Sequence, residues 1–319
     1  MILFTSLLEA KEYLGPSAVA LGNFDGVHKG HQELIKRCVS IAREKGLCSV
    51  VFTFLNHPVN EIAGKTMVKS IMTLKEKAQA VEALGADVMV AIPFIDNVRT
   101  SSPESFAKDI LAEDLHAKHA VCGFNYSFGF KGAGRPEDLK AFGKKFGYDV
   151  TVIDEFDMEG RTVSSTLIRQ KLAEGDVAAF ARLTGRRYNI AGRVMQGEHF
   201  GRTMGFPTVN LSLHNDMALP MNGVYVTEIY VKRTDYLGGT YEEKFHSVTN
   251  VGNKPSVGQF AKNAETHIFN FNEDIYGQEV RVEFIDLLRP EIKFNDIAEL
   301  SAQIDKDCIA AREYHGLQA

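Results

Sequence analysis

The stretch "GNFDGVHKGHQEL", residues 22–34, decides how the first half of this chain is read. It follows a short apolar run at 18–21. It leads into a segment with apolar residues at three- and four-residue spacing: Leu34, Ile35, Cys38, Val39 and Ala42. That pattern is a strand, a tight turn and an amphipathic helix. The turn gathers Gly22, Gly26 and Gly30 with Asp25 and two imidazoles, His28 and His31. In an open parallel sheet, ligands bind beyond the carboxyl ends of the strands, and this turn occupies such a place. Small residues let backbone approach a ligand, and a helix N-terminus favours negative charge. Both histidines can therefore point at phosphate oxygens. The ordinary alternative is a partly exposed helix start, and neither GxxxxGK[ST] nor GxGxxG opens any of these helices.

The same rhythm runs from residue 17 to about 155. "SVVFTFL" (49–55), "ADVMVAIPF" (86–94), "KHAVCGF" (118–124) and "YDVTVIDEF" (148–156) read as strands. Helix-like segments at 31–45, 74–84, 103–115 and 136–146 separate them, and "SSPESF" supplies a serine cap with proline at the first helical position. Near-continuous apolar strands between helices predict an α/β domain with a parallel, Rossmann-like sheet covered on both faces.

After about residue 185 the period changes. The segments 223–233, 243–252, 266–271 and 278–288 are strand-like with no helix between them, and a closing helix occupies roughly 296–314. Val280, Val282 and Phe284 alternate with Arg281 and Glu283, as in a strand with one wet face. This half predicts a small antiparallel β-barrel. A length of 319 residues also favours two domains, placed at 1–184 and 185–319 across the short basic junction "ARLTGRRYNI". There is no internal repeat.

Composition excludes several classes. The chain is 45% hydrophobic and 24% charged with a net charge of −5, so no basic face advertises nucleic acid and no polybasic run a membrane. No apolar stretch approaches 18 residues and no charged leader is visible, which predicts a cytoplasmic protein. Cys38, Cys48, Cys122 and Cys308 have no metal spacing and read as small buried apolar residues.

"GNFDGVHKGH" resembles the HxGH nucleotidyltransferase signature, and more narrowly that of the bacterial bifunctional riboflavin kinase/FMN adenylyltransferase (FAD synthetase) family. Other segments agree in order: "TFLNHP" (53–58), "GFNYSFG" (123–129), "VSSTLIR" (163–169), "GRTMGFPTVNL" (201–211), "NGVYV" (222–226), "VTNVGNKPS" (248–256), "ETHIFNFNEDIYG" (265–277) and "LRPEIKF" (288–294). The resemblance covers nearly the whole chain. It implies a transferase that phosphorylates riboflavin to FMN in the C-terminal half. The N-terminal half would then join FMN to the adenylyl group of ATP, giving FAD and pyrophosphate. ATP is the co-substrate and Mg²⁺ the implied metal; riboflavin, FMN and FAD are the other small-molecule partners.

The resemblance also implies roles. In the adenylylation half, His28 and His31 would act on the ATP phosphates, with Gly22, Phe24 and Gly30 beside the nucleotide. Ser164, Ser165 and Arg169 would clamp the triphosphate. The ordinary alternatives are an N-cap for the serines and a surface ion pair with Glu174 or Asp154 for Arg169. Asn23, Asp25 and Asn125 would face flavin; Asp25 is otherwise a turn residue, and Asn125 a loop amide that cannot act as a base. In the kinase half, Glu265 would be the base, and Thr208 and Asn210 would help hold Mg²⁺ and the phosphates. Unrecognised, Glu265 would be an exposed strand glutamate. Gly192, Gly201 and Gly205 suit backbone near phosphates or merely tight barrel turns. Phe269, Phe271 and Tyr276 read as core, not as flavin-stacking groups.

Two departures stand out. Asn56 occupies a position where the family more often has proline, predicting a less rigid loop. Lys131 stands where many relatives place an arginine, offering a point charge without the bidentate fork. Competing readings are a chain with one active domain, a flavin-binding regulatory protein, and an HxGH enzyme for another phosphate. The last predicts no kinase-like second half, and the regulatory reading predicts loss of some of these residues.

Overall fold

The computed structural model describes residues 1–195, 206–214, 216–253 and 262–317. Gly201 and Gly205 lie outside the described residues, as do 201–205 and 254–256 of the quoted segments. The chain forms two compact units, Met1–Ser165 and Thr166–Ala319.

The first unit is built on a six-stranded sheet: β1 (Ile2–Phe4), β2 (Ser17–Leu21), β3 (Cys48–Phe54), β4 (Val88–Ile92), β5 (Ala117–Gly123) and β6 (Asp149–Ile153). The order is β1-β4-β3-β2-β5-β6, and every pairing is parallel. Alternate strand residues enter two separate cores. Val19, Leu21, Val50, Phe52, Ala120 and Cys122 face one, while Ala18, Ala20, Val51, Met89 and Val121 face the other. Burial on both faces explains why these strands read as continuous apolar runs instead of alternating ones. From β2 the order runs one way to β3 and β4 and the other way to β5 and β6, so the C-terminal loops of β2 and β5 flank the switch point of the sheet.

The helix Lys29–Lys45 buries the expected stripe, Leu34, Ile35, Cys38, Val39 and Ala42, and Gly46 ends it in the left-handed region at φ 65°. The expected helix over 103–115 starts as predicted, with Ser102 capping the Ser105 N–H and Pro103 following. It then widens into π-type turns over Phe106–Asp114. A short hairpin, β7 (Asp157–Met158) with β8 (Arg161–Thr162), leads to the helix Ser165–Ala173.

The second unit holds β9 (Asn189–Arg193), β10 (Thr208–Ser212), β11 (Gly223–Thr234), β12 (Thr240–Asn253), β13 (Lys262–Ile268) and β14 (Glu279–Pro290). They run antiparallel in the order β10-β13-β12-β11-β14-β9. The Met195–Asn210 bridge brings the two ends of that order together, closing the barrel. One face of the sheet packs under the helix Ile297–Tyr314 through Val224, Val226, Val248 and Phe269. The other carries a chain of fully buried hydroxyls: Thr227 bonds Ser247 at 2.7 Å and Thr249 at 2.8 Å, and Thr249 bonds Thr266 at 2.8 Å. Each hydroxyl satisfies its neighbour, which lets polar side chains occupy the interior. The helix Ser165–Ala173 from its second residue on, and the helix Val177–Thr184, belong to this unit. The Met221 N–H donates to the Leu172 carbonyl at 2.9 Å, and the Phe180 ring meets Tyr188 edge-on at 5.3 Å.

Burial raises the thiol pKa values of Cys38 and Cys122 to about 12 and of Cys308 to about 11. These are packing residues; Cys48 is half-buried.

Candidate active sites

In the first unit the turn after β2 is tightly constrained. Phe24, Gly26 and Val27 have φ of 47°, 85° and 35°. A β-branched valine there is an outlier, of the kind found where surrounding contacts impose a shape on a functional loop. Two small residues sit where packing is tight. A Cβ on Gly22 would lie 2.9 Å from the Phe24 ring. One on Gly30 would lie 3.2 Å from Phe156 Cβ and 3.4 Å from the His28 ring. Phe24 is fully buried, packed in the core and edge-on to His31 at 5.3 Å. It shapes the loop from within.

His28 is the N-cap of the helix Lys29–Lys45, and its Nδ1 accepts the His31 main-chain N–H at 3.2 Å. With Nδ1 committed as acceptor, the neutral ring carries its proton on Nε2. The His28 and His31 rings stack with centroids 3.6 Å apart. The arrangement is a pair of imidazoles at the positive end of a helix, suited to an anion.

The chain returns to this turn from two directions. Ser165 Oγ donates to the Asp25 carbonyl at 2.7 Å, so the segment after the hairpin docks on the histidine loop. Ser164 immediately precedes that helix, and Arg169 lies one turn into it, in the second unit. Asp25 is buried, and its carboxylate accepts the Ile71 N–H at 3.0 and 3.3 Å. Asn125 is exposed just past β5, on the opposite side of the switch point. Lys131 is exposed, with Nζ 5.3 Å from the Phe130 ring centre.

A small polar recess of about 40 Å³ opens beside this turn, lined by Asn23, Asp25, Asn56, His57, Ser70 and Lys77 among others. Asn56 is not a loosened proline position. Its Oδ1 accepts the Phe94 N–H at 2.7 Å, tying the β3 exit to the β4 exit by a bond proline could not make. Lys77, absent from the sequence reading, is buried, and Nζ donates to the Asn23 carbonyl at 2.9 Å. Its signal was present: it interrupts the apolar stripe of Leu74, Ala78 and Val81.

In the second unit, three expected residues share one sheet face. Asn210 on β10 stands opposite Glu265 on β13, and Thr208 lies two residues along, opposite His267. Asn250 on β12 flanks Glu265 on the other side. Asn263 Nδ2 donates to Glu265 Oε1 at 2.9 Å, and among the described residues no lysine or arginine pairs with Glu265. Its hydrogen-bond partner is an amide, and the asparagines Asn210 and Asn250 stand opposite it in the strand register.

Thr208 also lines a cleft of about 240 Å³ with Pro207, Phe271, Asp274 and Tyr276. Phe269 is core, as expected, whereas Phe271 and Tyr276 line this cleft. Burial lowers the pKa of His267 against the opposing effect of its bond to the Pro207 carbonyl, 2.9 Å from Nδ1. A separate group with metal-ligand spacing joins Glu228 on β11, His246 on β12 and His315 at the end of the helix Ile297–Tyr314. Its carboxylate already receives Arg187 at 2.6 Å and Lys244 at 3.2 Å.

The histidine turn thus falls in the first unit and the Glu265 face in the second, and comparison with known proteins gives the same chain order. The FAD synthetase family matches residues 10–167, and the riboflavin kinase family matches residues 184–315. The chain is 36% identical over 291 residues to the bifunctional riboflavin kinase/FMN adenylyltransferase of Listeria monocytogenes, covering 91% of this chain and 89% of that one. To the protein of the same name from Haemophilus influenzae it is 34% identical over 314 residues, covering 98% and 99%. A crystal structure from Streptococcus pneumoniae named as a macrolide-efflux protein superposes with a TM-score of 0.84 at 30% identity, covering 98% of both chains. Efflux is said of that protein; among the described residues here, no helix is long and apolar enough to cross a membrane. Both family matches, and relatives spanning both units, lead to one assignment: the chain belongs to the bifunctional riboflavin kinase/FMN adenylyltransferase family.

Proposed function

We propose that this chain converts riboflavin to FMN with its C-terminal part, 185–319, and FMN to FAD with its N-terminal part, 1–184. The observation that best supports this division is that His28 and His31 stack at a helix N-terminus in the first unit, while Thr208, Asn210 and Glu265 share one sheet face in the second.

In the kinase reaction a neutral alcohol, the ribityl 5′-hydroxyl, attacks the γ-phosphorus of ATP and ADP leaves. Glu265 accepts the hydroxyl proton. Thr208 and Asn210 hold the phosphates. They offer hard, neutral oxygens on the same face as Glu265, a donor set that fits Mg²⁺. The metal supplies neutralisation of phosphate charge when bound. Riboflavin takes the cleft lined by Phe271 and Tyr276, where an aromatic wall suits a flat ring system.

In the adenylylation the FMN phosphate needs no base, because its second pKa is about 6 and it is already largely ionised at neutral pH. Its oxygen bonds to the α-phosphorus of ATP as the bond to pyrophosphate breaks. The difficulty is gathering anions and stabilising charge on the leaving group. His28 Nε2–H, His31 and the helix N-terminus supply donors, Ser164 and Ser165 clamp the triphosphate, and Gly22 and Gly30 keep the turn narrow. Asn23, Asp25 and Asn125, around the switch point, face the flavin. A need for ATP places the enzyme in the cytoplasm.

A time course with riboflavin, ATP and Mg²⁺, resolved by chromatography, tests the proposal. FMN should rise and then give way to FAD. FMN that accumulates without FAD would remove the adenylylation assignment, and untouched riboflavin the kinase assignment.

A further inference from the structure

Lys77 sits where its helix should be apolar. On Leu74–Ala83 the inward stripe is Leu74, Ala78 and Val81, and position 77 belongs to it. The side chain is 8% exposed, and burial lowers its pKa, with the Asp25 charge opposing that shift. It also lies in the first helical turn, where the helix dipole disfavours a cation. Two penalties fall on one ammonium, and its partners are all on one segment, the turn after β2.

Those partners hold that turn at its start. The Asn23 carbonyl receives Lys77 Nζ and Thr53 Oγ1, each at 2.9 Å. The Asp25 carboxylate faces Lys77 and accepts the Ile71 N–H, while the Asp25 carbonyl receives Ser165 Oγ. Among and just beyond these anchors stand the left-handed Phe24, Gly26 and Val27, and His28 follows directly. Phe24 and Val27 do not keep positive φ by their own preference, so the anchors impose it.

We infer that Lys77 is a positioning residue for adenylylation: its ammonium holds residues 23–27 in the shape that sets His28 and His31 against the triphosphate. It acts through the loop, touching neither the reacting phosphorus nor its leaving group. The inference rests on the adenylylation reading above.

The test is Lys77→Met in the full chain, because methionine has similar length and suits the apolar stripe. Both activities are measured together with the melting temperature. Misplacing catalytic donors lowers the turnover rate more than ground-state binding. FAD formation should therefore lose about tenfold or more in kcat, with KM for ATP within about threefold. Riboflavin phosphorylation and melting temperature should hold. An unchanged kcat for FAD, or a loss matched by a loss of folded protein, overturns the inference. Lys77→Ala with added ethylammonium is the second arm: saturable recovery of FAD formation supports it, and no recovery overturns it. Wild-type FAD formation in the same assay tests the underlying reading, while the ratio of variant to wild type tests Lys77.

Discussion

Glu265 on β13 stands directly across from Asn210 on β10, and the carboxylate has an amide, not a cation, as its hydrogen-bond partner. Glu265→Gln preserves shape and removes the proton acceptor. FMN formation should fall by about two to four orders of magnitude, the usual worth of a general base. FMN to FAD should continue at the wild-type rate in the same variant, as read by supplying FMN directly. Normal phosphorylation by Glu265→Gln would remove the base assignment.

His28 has two separable duties, a cap through Nδ1 and a donor through Nε2. His28→Asn keeps an N-cap acceptor, so it should melt near the wild type yet lose FAD formation. His28→Ala should lose both, with about 1 kcal/mol of stability gone with the cap. His31→Ala removes a ring but leaves the cap, and should also stop FAD formation while the kinase runs. Equal melting of all three variants would contradict the capping geometry.

Asn56 secures the Phe94 amide at 2.7 Å. Asn56→Ala should cost about 1–2 kcal/mol, because a partly buried donor loses its partner. Hydrogen exchange at Phe94 should accelerate. Asn56→Pro should behave no better, since proline's side chain offers no acceptor. Unchanged protection at Phe94 would show that the tether is not formed in solution.

Burial lowers the pKa values of His119, His267 and His315 below the ordinary 6.5. Between 6.5 and the folded values, the unfolded chain binds more protons than the native one. Stability therefore rises with pH through that window: it is fully present above about pH 6.5 and is lost as the pH falls towards the folded pKa values. Melting at pH 5.5 should come clearly below melting at pH 7.5. His267→Asn should flatten the dependence for the second unit; an unaltered slope would count against His267 as a contributor.

Local periodicity made most of the fold legible. Apolar runs covered on both faces marked β2 to β6, and the Leu34-to-Ala42 stripe marked the histidine helix. Short elements such as β1 and β9 were not legible, because a few residues carry no period and exist only through a neighbour's hydrogen bonds. The widening over Phe106–Asp114 was also invisible, since π- and α-turns share similar apolar spacing. In the barrel, Thr227, Ser247, Thr249 and Thr266 read as polar strand residues, and nothing local says that they satisfy one another inside.

For the sites, residue types at fixed spacing carried the chemistry. The HxGH string, "SST" before a helix, and Glu265 with "PTVN" named the groups to look for. What surrounds them was a matter of distance in space. Gly22 lies against the Phe24 ring, Asn56 faces Phe94, and Lys77 reaches Asn23 across 54 positions of chain.

By itself the sequence determined the two architectures, their order and the chemical inventory of each half, because hydrophobic period and residue type are local properties. Only the tertiary structure decided which groups meet. It paired Asn210 with Glu265, stacked His28 on His31 and buried a lysine under the turn that carries them. Strand register, ring contacts and burial depend on segments far apart in the chain, and no local pattern encodes those separations.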